Sequence, residues 1–147
     1  MTYDEGRKFT RSSFVLRRSS PPSMLRTGVD IIEVARIDGA ILRHRERFFH
    51  GFFTAQELID SAGRTPALAA RFAAKEAVAK ALGCGIGDVG WKEIEILSGQ
   101  HRQPEVRLHG AARLLAERLG LQEWSVSLSH THEHAMALVV ASGKNER

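Results

Sequence analysis

The sequence predicts an α+β fold, a mostly antiparallel sheet packed with helices. Two observations carry this. Short β-type runs flank compact turns, which suits hairpins and antiparallel pairing. Separate helical runs lie between them, the longest being the alanine-rich stretch from Pro66 to Leu82. No internal repeat is present.

Thr27–Val34 is rich in β-branched residues and reads as the first strand. From Ile37 to Phe49 the residues Ile37, Ile41, His44 and Phe48 recur at helical spacing. Thr54 followed by Glu57 has the capping-box pattern, so a short helix should begin there. Pro66–Leu82 opens with proline, is full of alanine and ends at Gly83, which predicts a well-delimited helix. Glu93–Leu97 and Glu105–Leu108 read as two strands of a hairpin joined by a turn over Ser98–Gln103. Ala111–Leu119 predicts a helix closed by Gly120. Trp124–Ser129 alternates, with Trp124, Val126 and Leu128 on one side, and Ala135–Ala141 reads as a buried apolar strand.

Charge and cysteine usage narrow the function classes. The chain has 147 residues and a net charge of +4. Residues 1–26 carry six Lys/Arg against two acids, whereas residues 27–147 carry 15 of each, so the basicity belongs to the N-terminal stretch. A neutral body gives no ground for a nucleic-acid partner. Residues 1–26, rich in Ser and Arg and broken by Pro21-Pro22, read as a disordered basic extension, and residues 27–147 as a single domain. Met24, directly before the first strand, offers an alternative start. No apolar run nears the roughly 20 residues that cross a bilayer, so no membrane partner is expected. The single cysteine, Cys84, excludes an intrachain disulfide framework and points to a reducing cytoplasm.

Several residues look costly or chemically useful. Asp30 sits inside an apolar strand, where a carboxylate needs a partner, backbone donors or a metal. Glu76 and Lys80 are four apart on one helix face, beside Ala69, Ala73 and Ala77. An ordinary exposed ion pair explains them as well as a ligand site does. Arg71 lies about 140° round from Glu76, towards a different neighbour. Arg36, Arg43 and Arg47 fall within about 40° of one another on a continuous helix, as a solvated face or a docking ridge for an acidic protein. His130, His132 and His134 would share a strand face and could bind zinc, although they sit between two strand runs. Gly83-Cys84-Gly85-Ile86-Gly87 follows a helix, the wrong order for a phosphate loop.

Three segments carry a resemblance. Gly28-Val29-Asp30-Ile31-Ile32-Glu33 with Arg36-Ile37, Arg71-Phe72-Ala73-Ala74-Lys75-Glu76-Ala77 with Lys80-Ala81-Leu82-Gly83, and Ser127-Leu128-Ser129-His130 resemble the holo-[acyl-carrier-protein] synthases. These are the small 4′-phosphopantetheinyl transferases, and the resemblance spans about residues 25–141. It implies their α+β fold and transfer of the phosphopantetheine arm of coenzyme A to a serine of apo-acyl carrier protein, releasing adenosine 3′,5′-bisphosphate. It also implies Mg²⁺ on Asp30 and Glu76, catalytic roles for Glu76, Lys80 and His130, and phosphate contact by Lys80. Coenzyme A binding falls to His130 with Arg71 and Gly83, and carrier docking to Arg36 with Arg43 and Arg47. The implied assembly is a cytoplasmic homotrimer with sites between subunits, which Arg71 would reach across to complete. One departure stands out: Gly99 and Pro104 are further apart than the family's Gly-Lys-Pro turn. The competing readings are a zinc hydrolase built on His130, His132 and His134, and a non-catalytic module that binds an acidic protein.

Overall fold

A computed structural model describes residues 23–144. Strand β1 (Ser23–Glu33) leads into α1 (Val34–His44), α2 (Glu46–Phe52), α3 (Ala55–Ser61) and the long α4 (Thr65–Leu82). A hairpin of β2 (Ile94–Ser98) and β3 (Pro104–Leu108) follows, then α5 (Gly110–Arg118), β4 (Leu121–His130) and β5 (His134–Lys144). β1, β5 and β4 form an antiparallel sheet in that order, and β2 pairs antiparallel with β3. The α+β class and the antiparallel sheet are as expected. β1 begins four residues before the predicted strand, with Ser23 opposite Lys144.

α4 packs across β1 and β5 and is buried nearly all round. Its alanines allow this: Ala69, Ala73 and Ala77 are fully buried, and small side chains let sheet and helix backbones approach. Gly83 ends the helix in the left-handed conformation (φ 73°), with its N–H and that of Cys84 donating to the carbonyls of Lys80 and Ala79. The capping box forms as predicted: the Glu57 N–H donates to the Thr54 hydroxyl and the Thr54 N–H to the Glu57 carboxylate.

Two expectations need correction, and one open point is resolved. The predicted Ile37–Phe49 helix is two helices, broken at Arg45, whose backbone turns left-handed (φ 42°). Arg47 therefore starts a second helix and does not extend the face of Arg36 and Arg43. Strand β5 is not buried on both faces. Ala135, Ala137 and Val139 face α4, while Met136 and Leu138 are exposed beside Val29 and Ile31 of β1. Last, the longer Gly99–Pro104 turn keeps the hairpin in register, with Ser98 opposite Pro104. His101 and Arg102 absorb the extra length by adopting positive φ (55° and 60°), uncommon for residues other than glycine.

Candidate active site

Strand alternation puts Gly28, Asp30 and Ile32 on the α4 side of β1. The helix presents Glu76 and Lys80 to that strand. The Lys80 ammonium donates to the Val29 carbonyl at 2.9 Å and to the Asp30 carboxylate at 3.1 Å. The i,i+4 pair suggested by spacing is thus not the one that forms, since Lys80 bonds across to Asp30. Glu76 is half-buried, and among the described residues no group donates a hydrogen bond to its carboxylate. Burial raises its pKa, the nearby Asp30 charge raises it further, and Lys80 opposes both.

This donor set fits a hard divalent cation. Two carboxylates from different elements lie close enough to feel each other's charge, one of them without a donor of its own, at a partly open sheet edge. Mg²⁺ is bound in this way, by one or two carboxylates plus phosphate oxygens and water.

A second group lies at the opposite edge of the sheet. His130 ends β4, across from Ala135, and shares the α4-facing side with Val126 and Leu128. It lines a groove of about 490 Å³ with Arg71, Ser98 and Arg102. Arg71 is buried, and its guanidinium donates to the Ile96 and Ala67 carbonyls and to the Ser98 hydroxyl. These bonds hold the Arg71 guanidinium on the groove wall within its own chain. The groove still has the cationic lining that an anionic ligand needs.

The histidines do not converge. His132 and His134 line a separate hollow with Glu33, Asp38 and Glu133, away from the groove of His130. Among the described residues no three His, Cys, Asp or Glu side chains form a metal-holding group, so the zinc triad is not assembled. The chain turns between β4 and β5, which sends successive histidines in different directions. Cys84 is half-buried and its thiol is pushed up by burial and by Asp88, so it offers no ready thiolate.

Arg36 and Arg43 flank an apolar groove of about 380 Å³ lined by Ile37, Phe48, Phe52 and Phe72. His44 stands at the same rim. Arg47, predicted to extend this ridge, is not among its lining residues.

Sequence reasoning missed Lys75 and Glu57. Lys75 lies within the FAAKEA motif, is fully buried, and bonds the Glu57 carboxylate at 2.7 Å. Its ammonium also donates to the carbonyls of Trp91 and Ile94. Glu57 accepts in addition from the Thr54 and Ile96 N–H groups. The available signal was the helix itself: with apolar residues on every side, a lysine in it must be paired inside.

A strand carboxylate, a helix carboxylate and a lysine thus gather at one edge of the sheet, and an arginine and a histidine at the other. A family model for the 4′-phosphopantetheinyl transferase superfamily matches residues 26–139. The holo-[acyl-carrier-protein] synthase of Herpetosiphon aurantiacus is 46% identical over 127 residues, covering 82% of this chain and 100% of its own. That of Dehalococcoides mccartyi is 50% identical over 118 residues, covering 80% and 98%. Among solved structures, the Helicobacter pylori holo-[acyl-carrier-protein] synthase in complex with coenzyme A superposes with a TM-score of 0.72 at 29% identity, covering 78% of this chain and 98% of that one. The Plasmodium yoelii acyl carrier protein synthase with ADP bound gives a TM-score of 0.76 at 25% identity, covering 84% and 99%. This chain belongs to the 4′-phosphopantetheinyl transferase superfamily.

Proposed function

We propose that this enzyme transfers the 4′-phosphopantetheine group of coenzyme A to a serine hydroxyl of an apo-acyl carrier protein, releasing adenosine 3′,5′-bisphosphate. The observation that carries this reading is the convergence of Asp30, Glu76 and Lys80 in a chain whose relatives are holo-[acyl-carrier-protein] synthases. In the reaction the serine oxygen bonds to the β-phosphorus and the bridging pyrophosphate P–O bond breaks. The serine proton must leave as the new bond forms.

Asp30 and Glu76 would hold Mg²⁺, which when bound would supply charge neutralisation to the pyrophosphate. Lys80 adds a fixed positive charge beside the phosphate, already oriented by its bond to the Val29 carbonyl. Glu76, whose carboxylate no described residue caps with a hydrogen bond, is the proton acceptor that the chain itself offers. Arg71 and His130 take the phosphates of coenzyme A in their groove. Gly83 leaves exposed backbone one turn beyond Lys80, free for close approach of the nucleotide.

The two groups of residues lie on opposite edges of one sheet, with α4 packed across it. A site that needs both is completed by a second copy. The exposed apolar face of Val29, Ile31, Met136 and Leu138 gives such copies something to bury. This face supports an oligomer with sites shared between subunits, which we read as the cytoplasmic homotrimer that the family resemblance implies. Arg36 and Arg43 would meet the acidic surface of the carrier protein, and the apolar groove between them its nonpolar side chains.

The test is direct. The protein is incubated with apo-carrier protein, coenzyme A and Mg²⁺, and the carrier is weighed. A gain of one phosphopantetheine on the serine is expected; an unchanged carrier mass overturns the reading.

A further inference from the structure

We propose that Gly28 is the spacer that sets the separation of Asp30 and Glu76, and with it the size of divalent cation the site accepts. This rests on the reading that those two carboxylates hold the cation.

The geometry around Gly28 is unusual. A Cβ placed there would lie 1.8 Å from the Ala77 carbonyl oxygen and 2.7 Å from its carbonyl carbon. Helix α4 therefore presses its bare backbone against β1 at this point, and no flexible side chain stands between them to give way. Gly28 lies two residues before Asp30 on the same strand face, and Ala77 directly follows Glu76. Less than one helical turn further along, Lys80 joins α4 to β1 again through the Val29 carbonyl and the Asp30 carboxylate.

Strand and helix are thus in contact at two points around the carboxylate pair. Only one of them is rigid. The Lys80 tie is a long, half-exposed side chain that can follow small shifts. The Gly28–Ala77 contact joins backbone to backbone and cannot adjust without moving a whole element. It is the contact that fixes how far the Asp30 strand stands from the Glu76 helix. A methyl group at position 28 must open that gap by at least 1.2 Å, the difference between 1.8 Å and the 3.0 Å floor of real Cβ contacts.

Cations differ in their tolerance of such an opening. Mg²⁺ demands near-octahedral oxygen ligands at about 2.0–2.1 Å, whereas Ca²⁺ accepts six to eight ligands at about 2.3–2.6 Å in flexible geometry. Widening the carboxylate pair should therefore weaken Mg²⁺ far more than Ca²⁺. Glycine at this position is a selectivity device for the small ion as well as a packing requirement.

The experiment is calorimetric titration of Mg²⁺ and of Ca²⁺ into the full chain, with coenzyme A present and carrier protein absent, so that no turnover contributes. Wild type, Asp30→Asn and Gly28→Ala are compared. Mg²⁺ binding that Asp30→Asn abolishes supports the cation reading, and its absence in wild type overturns that reading and the proposal with it. Given such binding, Gly28→Ala should weaken Mg²⁺ at least tenfold and Ca²⁺ less than threefold. Equal losses for both ions, or no loss for either, overturn the spacer role alone. Wild type itself should bind Mg²⁺ more tightly than Ca²⁺ under these conditions. A wild type with no preference for Mg²⁺ overturns the proposal even if Gly28→Ala fails to fold.

Discussion

The Lys75 ammonium lies 2.7 Å from the Glu57 carboxylate, and both side chains are sealed from solvent. This pair ties α4 to α3, and Glu57 continues the link to β2 through the Ile96 N–H. Removing one partner leaves a buried charge without compensation, which costs about 3–5 kcal/mol. Lys75→Met should therefore lose stability of that order in chemical denaturation. Replacing Glu57 as well should restore only part of it, because the Thr54 and Ile96 N–H groups would still lack their acceptor.

The raised pKa of Glu76 has a definite sign. Its folded form holds the proton more tightly than the unfolded chain, so ionising it opposes folding. That contribution is absent below the ordinary carboxylate range and is fully unfavourable once the pH exceeds the raised folded value. Without added metal, Glu76→Gln should melt higher than wild type at neutral pH, and the gain should vanish in acid. Thermal unfolding at two pH values checks it; a gain that persists at low pH contradicts the assignment.

Asp30→Ala and Glu76→Gln should each reduce transfer by several orders of magnitude while the chain stays folded. The double variant should be scarcely worse than either single one, since one lost ligand already forfeits the ion. A chelator should silence the wild type, with Mg²⁺ or Mn²⁺ restoring it. Restoration by zinc alone, or dependence on His132 and His134, would count against the transferase chemistry.

Charge reversal should separate the three arginines. Arg36→Glu and Arg43→Glu, on the rim of the apolar groove, should raise KM for the carrier protein severalfold and make association less salt-sensitive. Arg47→Glu, on the next helix, should have the smaller effect. Equal KM values for all three reversals and wild type would reduce the groove to ordinary surface.

A chain starting at Met24 should fold and keep its activity. It would retain the β1–β5 ladder from the pair Met24–Gly143 onward. Loss of soluble protein on that truncation would show that residues 1–23, of which only Ser23 lies in the described structure, contribute to the fold.

Local signals were read well where one residue decides the geometry. Thr54 and Glu57 announced a helix start, and Gly83 a helix end, because caps depend on near neighbours. The break at Arg45 carried no such mark: neither Gly nor Pro stands there, yet its backbone adopts a positive φ. The exposed side of β5 was equally hidden, since an apolar run looks the same whether its own fold or a second copy covers it. The candidate site was legible in part. The FAAKEA and GVDI segments placed Asp30, Glu76 and Lys80, but not the cross-element bond from Lys80 to Asp30. The bonds of Arg71 to Ile96 and Ser98 depend on a hairpin more than 20 residues away and left no local signal.

Strand β1 leaves evolution little room. Its inward positions, Gly28, Asp30 and Ile32, answer to the helix and the carboxylate pair, while Val29 and Ile31 lie bare on the outer face. A substitution that makes the outer face more soluble sits next in sequence to a residue that chemistry requires. The strand should therefore rank among the least mutable stretches of the chain. Engineering for solubility should begin elsewhere, for example at Leu114, which is exposed and far from β1 in sequence.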